Sequence, residues 1–189
     1  MSKQFKWIGF YTEFATELLE YEDDRKTLIQ KIQSVYVAID MKLPKLEKDG
    51  VPKDIDPFTI FGMFNKGIKD ENRISILNGI KSEFSIASNV PDDFSGIPVL
   101  NNLMATFYGF EGDRGDHDID NLWGVFETAI ALADNDTQEN RERFASYYDQ
   151  ALTQLCVRWN ITMGLYWIRP HSFLNLDSRN RWFMRDPEH

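Results

Sequence analysis

The chain has 189 residues, 42% hydrophobic and 14% aromatic, which suffices for one domain with a substantial core and speaks against intrinsic disorder. Its net charge of −9 argues against a whole-surface nucleic-acid binder while leaving room for a local basic patch. The lone Cys156 excludes an intrachain disulfide and a cysteine-rich zinc site, and no apolar run approaches the ~18 residues of a membrane span.

The opening "MSKQFKWIGFYTEF" lacks the apolar core of a secretory signal, so a soluble cytoplasmic protein is expected. In "WIGFYTEFATELLEY", Phe10, Phe14, Leu18 and Tyr21 recur at helical spacing. A second helix follows "EDD", with Leu28, Ile32, Val35 and Ile39 as its stripe. Residues 42–56 read as a loop around Pro44, Gly50 and Pro52. "DIDPFTIFGMFNKGI" supplies Asp56 as N-cap, Pro57 as first helical residue and Gly67 as stop.

A fourth helix is predicted over 71–86, with Ile74, Leu77, Ile80 and Phe84 inward, and "VLNNLMATFYGF" reads as the next. "NLWGVFETAIALA" continues the pattern, and 139–157 makes a long amphipathic helix through Phe144, Tyr147, Tyr148, Ala151 and Leu155. Only "SVYVAI" and "GLYWI" compete as strands. The expected fold is mainly α: a single compact helical domain of seven to eight helices with a short irregular or β-like C-terminal segment.

Two constellations carry candidate chemistry. In "DHDIDNLWGVFE", Asp116, Asp118, Asp120 and Glu127 occupy positions one, three, five and twelve of an EF-hand calcium loop. Position six is Asn121 where the sharp turn wants glycine, so the competing reading is a helix whose first turn welcomes carboxylates. No phosphate-cradling glycine loop or nucleophile elbow is present, and Cys156, placed on the apolar side of the long helix, reads as inert core. No cofactor is expected.

The second constellation is "YWIRPHSFLNLDSRNRWFM". The charge is uneven: residues 101–157 hold 3 basic against 11 acidic side chains, while 158–189 hold 5 against 3, all five being arginines. As a binding surface, Arg169, Arg179 and Arg181, with Arg158 or Arg185, would contact phosphate or base edges, Asn175 and Asn180 would add amide hydrogen bonds, and Trp182 or His171 would stack. As architecture, Trp167, Phe173 and Trp182 would fill the core and Asp177 would pair with Arg179, Arg181 or Arg169.

"WIGFYTEFATELLEY", "DIDPFTIFGMFNKGI", "GIPVLNNL", "DIDNLWGVFETAI" and "WNITMGLYWIRPHSFLNLDSRNRW" together resemble the N-terminal region of McrB-like proteins, the AAA+ GTPase subunits of modification-dependent restriction systems. The likeness runs from Trp7 to Trp182. It implies a non-enzymatic N-terminal target-recognition module in phage defence, binding DNA, with a motor domain in cis and a separate nuclease subunit as partners. The alternative it leaves is an assembly module that docks on the motor, the nuclease or a phage-derived trigger.

Overall fold

The computed structural model describes residues 5–102 and 105–185. Eight α-helices occur among them, and no strand or sheet. No helix among the described residues is long and apolar enough to cross a membrane.

Helix α1, Ile8–Leu18, buries Phe10, Tyr11, Phe14, Ala15 and Leu18, and a 3-10 turn, Leu19–Tyr21, extends it. Helix α2, Arg25–Ala38, starts where the Asp24 side chain accepts from the Thr27 amide at 3.2 Å. It contains "SVYVA", with Ile39 as its C-cap, so the β-branched run is helical: Val35 and Tyr36 are buried on a stripe that Leu28 and Ile32 begin.

Helix α3, Pro57–Phe64, is the centre of the fold, and all eight of its residues are buried. Asp56 caps it as the sequence predicts, accepting from the Thr59 amide at 3.0 Å. The stop comes at Asn65 rather than Gly67, because the Asn65 carbonyl accepts from the Leu100 amide at 2.8 Å and an isolated bridge joins Lys66 to Leu100. Around α3 an aromatic shell closes, with Tyr11, Phe14 and Trp167 against Phe61, and Phe107 and Phe126 against Phe58.

Helix α4, Asp70–Glu83, lies along α2. Its buried face is turned from the expected one, with Arg73 inside in place of Ile74. The Arg73 Nε donates to the Phe64 carbonyl at 2.8 Å, closing the end of α3, and its guanidinium lies 4.6 Å from the Phe94 ring centre. The helix ends at Glu83 because Ser85 takes a left-handed φ of 56°.

The stretch "VLNNLMATFYGF" is the main departure from expectation. Leu103 and Met104 lie outside the described residues, and its other residues form no α-helix. Two of their backbone donors are taken by α3 and its C-cap: Leu100 by the Asn65 carbonyl, Phe107 by the Thr59 hydroxyl at 2.9 Å. The apolar spacing is helical, but the chain lies against α3 and buries Phe107 and Tyr108 there.

Helices α5, Asp118–Asp134, and α6, Gln138–Leu152, form an antiparallel hairpin in which Arg143 pairs with Glu127. Helix α6 stops at Leu152, short of the expected Val157, and the Gln154 side-chain amide donates to the Asp118 carbonyl. Cys156 therefore lies in a turn, half-buried, and burial pushes its thiol up. Helix α7, Asn160–Ile168, contains "GLYWI" and packs on α1, α3 and α5. Residues 169–177 are irregular rather than β, and α8, Ser178–Arg185, follows.

Candidate binding edge

The acidic constellation does not converge. Helix α5 begins at Asp118, so Asp118 and Glu127 are separated along it by roughly 13 Å of rise. The Asp118 carboxylate accepts from the Gly115 amide, Asp120 pairs with Arg25 at 2.8 Å, Glu127 pairs with Arg143, and Asp116 is exposed. Among the described residues, no group of three His, Cys, Asp or Glu side chains is placed to hold a metal ion.

The arginine constellation separates into three parts. Arg169 is architecture: it is 9% exposed, and its guanidinium donates to both Asp134 carboxylate oxygens, the Ile168 carbonyl and the Thr16 hydroxyl. It thereby joins the ends of α7 and α5 to α1, with Asp134 rather than Asp177 as its partner.

Asn175 and Asn180 are also spent. Asn175 is buried, exchanges hydrogen bonds with Asp177, and accepts from the Asn180 amide group at 2.7 Å. Asp177 caps α8 through the Asn180 backbone N–H at 2.9 Å, so it pairs with none of the arginines. The exposed His171 sits apart, in a 560 Å³ hollow beside Asp136, Arg141 and Phe173.

What remains is one edge, formed by α8 and the turn before α7. The Arg181 guanidinium lies 4.8 Å from the Trp159 ring centre. Arg158, Arg179 and Arg185 are exposed around this pair. Trp182 does not fill the core: it is 62% exposed, and Met184 and Leu174 are 65% and 75% exposed. Phe173 is half-buried against Phe144, whereas Trp167 fills the core as its indole donates to the Pro98 carbonyl.

The pairing of arginines separates this edge from the rest of the molecule. Arg25, Arg73, Arg114, Arg141, Arg143 and Arg169 each hold a carboxylate. Arg158, Arg179, Arg181 and Arg185 hold none among the described residues. Among the described residues, the four guanidiniums without a carboxylate thus all lie on α8 or in the turn before α7. Sequence reasoning missed Trp159, Leu174 and Met184 as edge residues, the only local signal being the repeated arginine–tryptophan pair in "RWN" and "RWFM"; it also put Leu155 on the buried stripe of the long helix, whereas Leu155 is exposed.

A family model described as Domain of unknown function (DUF8425) matches residues 7–188, so the chain belongs to that family. No curated protein and no solved structure matches it.

Proposed function

We propose that this DUF8425 member is a non-enzymatic docking module that binds an acidic protein surface through the α8 edge. The observation that carries this reading is that Arg179, Arg181 and Arg185, on a helix with no buried residue, hold no carboxylate among the described residues. Arginine, tryptophan and methionine are the residues enriched at the desolvated centres of protein interfaces, and no lysine accompanies them here. Exposed Leu174 and Met184 add apolar area that a phosphate backbone would leave uncovered. In the McrB-like arrangement that the sequence resembles, the partner would be the motor domain or the nuclease subunit.

A photo-crosslinking residue at Met184, against one at Ser75 on α4, tests this in cells. The Met184 position should capture one protein that the Ser75 position does not. That protein, purified, should bind the chain at least tenfold more weakly when Arg179, Arg181 and Arg185 are all changed to Glu. Unchanged affinity would remove the edge from the interaction.

A second reading, DNA recognition, draws on one specific feature: Trp159 and Trp182 flank the same arginines, as base-stacking side chains do in single-strand binders. It predicts a duplex or single-strand affinity that falls with salt at a slope of about −3 to −4, set by the four arginines.

A further inference from the structure

We infer that the hollow between α7 and α8 is a subsite for a protein carboxylate that stands next to a large apolar side chain, an Asp or Glu flanked by a residue such as Leu. The inference rests on the docking reading above and names what the edge recognises. The hollow holds about 370 Å³, and Val99, Trp159, Met163, Asp177, Arg179 and Arg181 line it.

Three observations converge on that ligand. First, the Arg181 Nε is buried and has no hydrogen-bond acceptor. A buried donor left unmade is a cost, and it is relieved when the guanidinium turns its Nε–H toward an incoming acceptor. Second, the carboxylate already in the hollow, that of Asp177, is turned away from Arg181: its two oxygens accept from the Asn180 backbone N–H and the Asn175 side chain, and it makes no ion pair with an arginine among the described residues. Among the described residues the Arg181 guanidinium thus holds no carboxylate, and Arg179 lines the hollow beside it. Third, Trp159, Met163 and Val99 give the hollow apolar walls, and the Trp159 ring already holds the guanidinium on one face.

The combination selects against a nucleic acid. A phosphodiester would bring a sugar and further phosphates to the walls of Trp159, Met163 and Val99, which are apolar. An acidic side chain beside an apolar one brings a single charge for the fork and an apolar group for the walls.

Two blocked dipeptides test the assignment on the whole chain, acetyl-Leu-Glu-amide and acetyl-Leu-Gln-amide, followed by the NMR signals of the Arg181 Nε–H and the Trp159 indole N–H. The Glu peptide should shift both signals and bind about tenfold more tightly than the Gln peptide. Arg181→Gln, and Arg181→Lys, which keeps the charge but lacks the Nε donor, should each reduce the Glu peptide to the level of the Gln peptide. Arg185→Gln, outside the hollow, should leave the preference in place.

Equal affinity for the two peptides overturns the subsite, as does the absence of any shift at Arg181 and Trp159. An oligothymidylate that displaces the Glu peptide and binds more tightly than it would overturn the protein assignment. So would concentration-dependent self-association lost in Arg181→Gln, which would seat a second copy on the edge. If Arg181→Gln leaves the captured partner's affinity unchanged while the triple Glu variant abolishes it, the docking reading survives and the subsite falls.

Discussion

Helices α3 and α8 have the same length, eight residues, and opposite fates: every residue of α3 is buried and none of α8 is. Neither is long enough to hold its shape in water by hydrogen bonds alone. Helix α3 draws its stability from the aromatic shell around Phe58, Phe61 and Phe64, from its Asp56 cap and from Arg73 at its far end. Helix α8 has the Asp177–Asn180 cap and the Arg181–Trp159 contact, yet its large apolar side chains meet solvent. The difference teaches where the molecule has finished its own packing and where it has left packing to be done by something else.

The largest test of that contrast is Phe61→Ala. The ring is fully buried among Tyr11, Phe14, Phe64 and Trp167, so its removal leaves a cavity at the centre of the fold. Denaturant unfolding should register a loss of about 3–5 kcal/mol. A loss below ~1 kcal/mol would mean that α3 is not the centre described.

Asp56 provides a pH-dependent test of the same helix. Burial raises its carboxyl to about 6, partly opposed by hydrogen bonds from the Thr59 and Phe58 region and aided by Asp54. One of its oxygens accepts from Thr59, and the other is buried without a partner. The folded state therefore holds the proton more tightly than the unfolded chain. The favourable contribution is complete below about pH 3.8 and is lost as pH rises through about 6. Asp56→Asn keeps a cap oxygen and removes the titration. The stability of the natural chain relative to this variant should fall by on the order of 2–3 kcal/mol between pH 4 and 7. A flat difference would show that Asp56 titrates normally.

Much of this contrast is legible in the sequence, and the reasons for the rest are physical. The Asp56–Pro57 start of α3 is a local signal, since cap and first turn lie within four residues of each other. The stripes of α1 and α2 are local too. What the sequence does not carry is who takes a backbone donor across the fold. The segment at 99–110 has helical spacing but gives the Leu100 and Phe107 amides to α3. Arg169 and Arg181 look alike in "IRP" and "NRW"; one is buried because Asp134, 35 residues away, meets it, and the other is not. Partner assignment for a charge is tertiary information, and it decides which arginines can bind anything else.

Gly62 tests the fit of α3 at a smaller scale. A Cβ there would come within 2.4 Å of the Ala105 carbonyl oxygen, a backbone atom that cannot swing aside. Helix propensity alone would make Gly62→Ala stabilising by up to ~1 kcal/mol. The steric term should win, with a net loss of about 1–3 kcal/mol in denaturant unfolding. A gain in stability would show slack between α3 and the 105–110 segment.

The smallest expected effect on folding is the one that sharpens the comparison most. Met184 is on α8 and 65% exposed, so Met184→Ala should change unfolding free energy by no more than ~0.5 kcal/mol. Affinity for the protein captured at the α8 edge should nevertheless drop by more than ~1 kcal/mol, because an apolar side chain that adds little to the free fold has its full area to bury on binding. The two measurements must diverge for the argument to hold. If Met184→Ala destabilises the fold as strongly as it weakens binding, α8 is held by its own domain as α3 is. If it does neither, the apolar side of α8 is not the face that docks, and the arginines alone would have to account for recognition.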